Sequence, residues 1–327
     1  MALPAAGGLT AAAAPEPAAP LLSSTGRVAT SGGIGAPKAP AATAVLRSIG
    51  TGADLEDRLS AAILRAMGDR AADVSVTVHD RLTDAYVRHN PSLRNPTGSI
   101  VKVLVLVTLV RERREDGRSL SNYERSLARR MITTSDNDAT SALFDRLGGR
   151  SALQRVADRL GMTRTQISTS WGRSTTTAAD QALLVDRIMD GDAFSDRDDQ
   201  AYVLDLMGKV IPEQAWGVGS IPDTSDVALK NGWVLLEPHG WRVNSIGHVT
   251  APGRDYTLAM LSYDSDSMEE GVEVLDAVAA AVYDTLEDSS SDSKSMNDSR
   301  RGARTIPKGA PAWLHSPGAA FPPYPVW

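Results

Sequence analysis

Cysteine is absent from the 327 residues. Disulfides and thiolate-held metals are therefore excluded, while the compartment stays open. Three other signatures are missing: a His-Glu-x-x-His zinc pair, a Gly-x-x-x-x-Gly-Lys-Ser/Thr phosphate loop and a Gly-x-Ser-x-Gly elbow. The five histidines (His79, His89, His239, His248, His315) are scattered and read as strand, turn or tail residues. No cofactor and no metal are expected. There is no excess of positive charge either. The net charge is −6 and no basic stripe stands out, which argues against a nucleic-acid partner. Long apolar runs are also lacking: the best, 100–110, is too short to span a bilayer and contains Lys102.

What is present suits a soluble globular domain: 42% apolar and 23% charged residues in a chain long enough for a large core. The two ends differ from the middle. Residues 1–50 are dominated by Ala, Pro, Gly, Thr and Ser, too little apolar surface to offset the ordering entropy, so a disordered leader is expected. Met1 to Ala14 is similar to the tail of a secretory signal, although no cation precedes Arg27. The expectation is a secreted or cell-envelope protein with the start of its signal missing, the alternative being a plain disordered leader on a cytoplasmic protein. Residues 288–327 turn to Ser and Asp, then to Pro with Trp313, Phe321, Tyr324 and Trp327, and are expected to form a disordered tail.

Between them, 51–287 carries regular patterns. Leu55, Leu59, Ile63 and Met67 recur every four residues, which predicts an amphipathic helix over 53–68. Val74, Val76 and Val78 alternate with polar residues, the mark of a half-buried strand, and a second strand follows at 85–89. From about 97 to 215 the pattern is helical. Strands return at Ala228–Leu236, Trp241–Val249 and Tyr256–Tyr263, separated by Pro-Gly-bearing turns, and Met268–Leu286 closes as a helix. The layout predicts an α+β fold. One five-stranded antiparallel sheet is flanked by terminal helices, with an all-helical lobe inserted between the second and third strands.

The apolar run after Ser99 is apolar on every face, as befits a core helix, yet it holds Lys102 with no acidic neighbour. Ser99 lies one turn earlier on the same face. Burial lowers a lysine's pKa, and a neutral lysine beside a hydroxyl is a general base poised to make a nucleophile. Alone, the pair also reads as a helix cap and a snorkelling lysine. Two further short motifs follow in order. Ser135-Asp136-Asn137 precedes a helix and by itself reads as an N-cap cluster. Lys230-Asn231-Gly232-Trp233 lies on a strand and by itself reads as an edge lysine with a bulge glycine.

Taken together, Ser99-x-x-Lys102, Ser135-Asp136-Asn137 and Lys230-Asn231-Gly232 resemble the three motifs of the penicillin-recognising serine hydrolases, class A β-lactamases in particular. The resemblance covers residues 50–287. It implies that Ser99 is acylated and that Lys102 takes its proton, alone or through a water. Ser135 would relay a proton to the leaving nitrogen, Asn137 would bond a substrate amide, and Lys230 would supply positive charge to a substrate carboxylate. The backbone N–H groups of Ser99 and Trp233 would form an oxyanion hole. The implied substrate is a β-lactam, a peptide ending in D-alanine or a related ester, handled by a monomer.

Two departures stand out. Asn231 replaces the family's Thr or Ser. Ser170-Trp171-Gly172-Arg173 is similar to the family's Arg-Trp-Glu-Pro stretch, with Gly172 where the deacylating glutamate would stand; no Asp or Glu occurs between Asp158 and Asp180. Acylation is thus expected to proceed while hydrolysis of the acyl-enzyme is slow. The competing expectation is a catalytically weak protein that binds or senses β-lactams or peptidoglycan fragments. Trp171, Trp216 and Trp233 could line a cleft, but core packing is their default.

Overall fold

The structure, a computed structural model, describes residues 52–222 and 225–298. The leader expected at 1–50 and the tail beyond Asp298 lie outside them. Helix α1, Gly52–Met67, buries the four-residue stripe of Leu55, Leu59, Ile63 and Met67. Strands β1 (Val74–Asp80) and β2 (Ala85–His89) follow, then a two-residue strand β3 (Asn95–Pro96). The helical lobe comprises α2 (Val101–Glu115), α3 (Asn122–Thr133), α4 (Asn137–Arg146), α5 (Gly149–Arg159), α6 (Ala178–Asp190) and α7 (Arg197–Met207). The short β4 (Thr175–Thr176) precedes α6 and pairs with β3. Strands β5 (Asp226–Leu235), β6 (Trp241–Ala251) and β7 (Arg254–Ser265) lead into α8, Met268–Asp298.

The five long strands form one antiparallel sheet in the order β2-β1-β7-β6-β5, so the early hairpin joins the late meander through the β1–β7 pair. This is the α+β architecture the sequence predicts. Apolar side chains divide between the two sheet faces. On one, Val74, Val76, Val78, Leu258 and Met260 meet α1 and the Leu275, Val278 and Val282 stripe of α8. On the other, Ile246, Ala259 and Leu261 share a core with α2 and the helices around it. Every residue from Val101 to Val110 is buried, which places α2 at the centre of the lobe. Each of its Leu and Val side chains contributes about 1.5–3 kcal/mol on burial.

Two expectations are corrected. β1 is covered on both faces, not half-buried: Ser75 and Thr77 are as inaccessible as the valines between them, because α6 packs across their side. The last helix does not end at Leu286 but continues to Asp298, into the stretch expected to be tail. Ser and Asp lower helix propensity by only a few tenths of a kcal/mol each, which a helix already nucleated by packing can absorb. Among the described residues no helix is long and apolar enough to cross a membrane.

Candidate active site

Ser99 sits in a 3-10 turn, Gly98–Ile100, that leads directly into α2. Its hydroxyl does not cap the helix. The segment before it is tied down from two sides. Asn95 donates to Asn244 Oδ1 and to the Ser262 carbonyl, both at 2.8 Å, and Asn244 Nδ2 donates to the carbonyls of Pro96 (2.9 Å) and Thr97 (3.1 Å). Opposite the sheet, the Thr97 N–H donates to the Ser174 carbonyl at 2.7 Å.

The turn lies against edge strand β5 with no room to spare. Gly98 has φ +50°, and a Cβ on it would fall 2.8 Å from the Trp233 nitrogen. A Cβ on Gly232 would fall 2.5 Å from the Ser99 nitrogen and 2.6 Å from that of Ile100. Only glycine allows this mutual approach, which brings the Ser99 and Trp233 amides to the same contact.

Lys102, one turn along α2, is wholly inaccessible. Its Nζ donates to the Ser135 carbonyl (2.7 Å) and lies within hydrogen-bond distance of Ser135 Oγ (3.0 Å) and Asn137 Oδ1 (2.8 Å). Ser99 Oγ is not among its partners, so the helix spacing brings the two residues to one face and Ser135 occupies the amine. Ser135 adopts φ +57°, in the left-handed region. Asp136 caps α4, accepting from the Ala139 N–H at 2.8 Å. The cap reading of this motif is therefore right for Asp136, while the residues on either side of it turn to Lys102. Burial, and next the nearby charge of Lys230, push the Lys102 pKa well below the ordinary lysine value; Asp136 acts weakly the other way. Among the described residues no carboxylate hydrogen-bonds Lys102, Ser99 or Ser135.

Strand alternation splits the third motif. Lys230 and Gly232 face Lys102 and the Ser99 turn. Asn231 and Trp233 point through the other face. Lys230 is wholly buried, donates to the Asn231 carbonyl at 2.9 Å, and has its pKa pushed down by burial to about 7. Asn231, expected with Lys230, Gly232 and Trp233 to take part in substrate binding, turns its side chain away from the Ser99 turn. Its amide is inaccessible and donates to the carbonyls of Gln214 and Trp216, both at 2.8 Å, which fastens the 212–219 loop to β5. Trp233 places its ring near Trp216, centroids 6.2 Å apart, and contributes its backbone amide to the Ser99 side.

The loop before α6 carries what sequence reasoning undervalued. Trp171 opens a second 3-10 turn, Trp171–Arg173, which packs against the Ser99 turn. Its ring centroid lies 4.9 Å from Lys102 Nζ. Gly172 is buried beside it. The available signal was a large aromatic next to the position that lacks the glutamate.

Comparison with known proteins bears on the family and the fold. The model of the beta-lactamase enzyme family matches residues 123–286. Among solved structures, the TLA-3 extended-spectrum beta-lactamase is 18% identical, with a TM-score of 0.65 over 71% of this chain and 99% of that one. A class A beta-lactamase from Bacteroides cellulosilyticus DSM 14838 is 16% identical, with a TM-score of 0.64 over 72% and 99%. The beta-lactamase from Sphaerobacter thermophilus DSM 20745 is 20% identical, with a TM-score of 0.60 over 71% and 97%. These likenesses establish the class A beta-lactamase fold. A search among curated proteins finds no match.

Proposed function

The chain belongs to the beta-lactamase enzyme family, and from that premise we propose that it forms an acyl-enzyme at Ser99 and hydrolyses it slowly. The observation that carries this reading is the seat of Lys102. A buried amine, deprived of carboxylate partners and held by Ser135 and Asn137, lies one helical turn from a serine whose backbone amide adjoins that of Trp233.

Ser99 Oγ attacks the carbonyl carbon of a β-lactam, a D-alanine-ended peptide or a related ester. Its proton passes to Lys102 Nζ through Ser135 Oγ, which stands 3.0 Å from that nitrogen. The oxyanion is met by the amides of Ser99 and Trp233. As the carbonyl re-forms, the bond to the leaving nitrogen breaks, and Ser135 hands that nitrogen the proton held on Lys102. Asn137 accepts from Lys102 through Oδ1, which leaves Nδ2 to donate to a substrate amide carbonyl. Lys230 is too deeply buried to grip a carboxylate from the open side; its part is to hold the Lys102 pKa down.

Water attack on the resulting ester needs a base, and a positioned base typically contributes roughly 10²–10⁴-fold. The loop offers Trp171 and Gly172 there, with no carboxylate. The same observation favours a second reading, a protein that binds or senses such ligands by keeping the adduct. Intact mass after incubation with a penicillin, followed over time on wild type and Ser99→Ala, tests both. A lasting adduct on wild type alone supports acylation with slow hydrolysis. Fast substrate loss without an adduct overturns the slow step. No adduct with penicillins or with activated esters overturns Ser99 as a nucleophile.

A further inference from the structure

The indole of Trp171 lies on the amine at the centre of this site. Lys102 Nζ has acceptors on three sides: the Ser135 carbonyl, Ser135 Oγ and Asn137 Oδ1. The ring face closes against it from the loop side, and the amine has no accessible surface left. The ring is not a loose flap. Its Nε1–H donates to Ser141 Oγ on α4 at 3.2 Å. Its own turn is closed by Arg173 N–H to the Ser170 carbonyl (2.8 Å) and Ser174 N–H to the Trp171 carbonyl (3.1 Å). Gln166 and Thr175 exchange backbone bonds at 2.8 and 2.9 Å at the base of the loop. Asn95–Pro96 pairs with Thr175–Thr176, so the loop and the nucleophile's turn are held as one piece.

We propose that Trp171 is a positioning residue that covers Lys102, holding the amine against Ser135 and Asn137 and keeping water from the space beside it, so that an acyl group on Ser99 persists. This deepens the acyl-enzyme reading and rests on it for the lifetime of the acyl group, but the cover itself is independent of any substrate. An aromatic face excludes water from the end of the lysine and offers a water neither a base nor a strong acceptor. A hydrolytic water arriving from the loop side would have to displace the ring.

The test uses the full chain with Trp171→Ala, Trp171→Phe and Ser141→Ala. Ser141→Ala frees the indole N–H without opening a cavity and so stays informative if Trp171→Ala folds poorly. Two quantities are read: the lifetime of the penicillin adduct by intact mass, and the modification of Lys102 by formaldehyde with cyanoborohydride, mapped by peptide mass. Reductive methylation consumes free, accessible amine; Trp171→Phe, which keeps a ring on Lys102, and thermal unfolding of each variant separate loss of the cover from a general loosening of the fold. Expected are Lys102 modification at least ten-fold faster in Trp171→Ala than in wild type, a smaller rise in Ser141→Ala and little change in Trp171→Phe. Adduct lifetime should shorten in the same order. Unchanged Lys102 modification in both Trp171→Ala and Ser141→Ala overturns the cover. Faster modification with an unchanged adduct lifetime overturns its part in retaining the acyl group. If wild type forms no adduct, the acyl-enzyme reading fails, and with it the retention; Lys102 modification then still decides the cover.

Discussion

Strand β5 presents two faces made from alternate residues of one short motif. Lys230 and Gly232 look toward Lys102 and the Ser99 turn; Asn231 and Trp233 look toward the 212–219 loop and the terminal helices. On the first face, the close approach of the Ser99 turn requires the absence of a side chain at Gly232, and the Lys230 amine is buried. On the second, an amide holds two carbonyls and an indole fills space. On the proposed function, adjacent residues serve chemistry and construction respectively, and a motif read as a string merges the two.

This division predicts separable effects. Gly232→Ala forces a Cβ to within 2.5 Å of the Ser99 nitrogen. Acylation by a penicillin should fall about 10²–10³-fold, the usual loss when an oxyanion donor is displaced, measured by stopped-flow or timed mass spectra. A near-normal rate would mean that the two amides do not act together.

Lys230→Met should change how stability depends on pH. The folded value of about 7 lies below the ordinary 10.5. Between those values the unfolded chain holds a proton the folded chain has lost, so wild-type stability rises with pH across that window. The variant lacks this rise, and the difference in unfolding free energy between pH 7 and 10 should amount to about 3 kcal/mol. Removing Lys230 also removes a charge that depresses the Lys102 pKa, so the acid limb of the acylation profile should move to higher pH.

On the other face, Asn231→Ala should cost about 2 kcal/mol of stability by leaving the Gln214 and Trp216 carbonyls without their donor. The acylation rate should change far less than in Gly232→Ala; a loss as large would return Asn231 to the substrate. The smallest effect belongs to Trp233→Phe. The indole Nε1 has no hydrogen-bond partner among the described residues, so thermal unfolding should show a loss of about 1 kcal/mol or less, the value of a modest volume change.

Much of this was legible beforehand. The four-residue stripe of α1, the valine alternation of β1 and the apolar run of α2 each announce their element, because periodicity reports which face is buried. The order of Ser99, Lys102, Ser135, Asn137 and Lys230 announces the site. Lysine is rare here, six residues among 34 basic ones, and two of the six meet in the site. The missing carboxylate before α6 is equally plain. Less legible was the company each residue keeps. Nothing in the string says that Lys102 rests on Ser135 instead of Ser99, that Asn231 turns away, or that Trp171, packed in the helical core as its type leads one to expect, also lies on an amine. The far end of α8 was hidden for a different reason: Ser and Asp lower helix propensity only slightly, and composition does not record what a helix has already gained by packing upstream.

The sequence by itself determined the element types, the antiparallel sheet with its inserted lobe, and the residue kinds available for acyl transfer, because these depend on local periodicity and on side-chain chemistry. Only the tertiary structure decided which atoms meet. The Ser99 turn, the Ser135 turn, β5 and the Trp171 loop are separated by tens of residues, and their close approach depends on two glycines and on a shared core that no local pattern encodes. The depressed pKa of Lys102 belongs to that second class, since burial and a neighbouring charge exist only after the chain has packed.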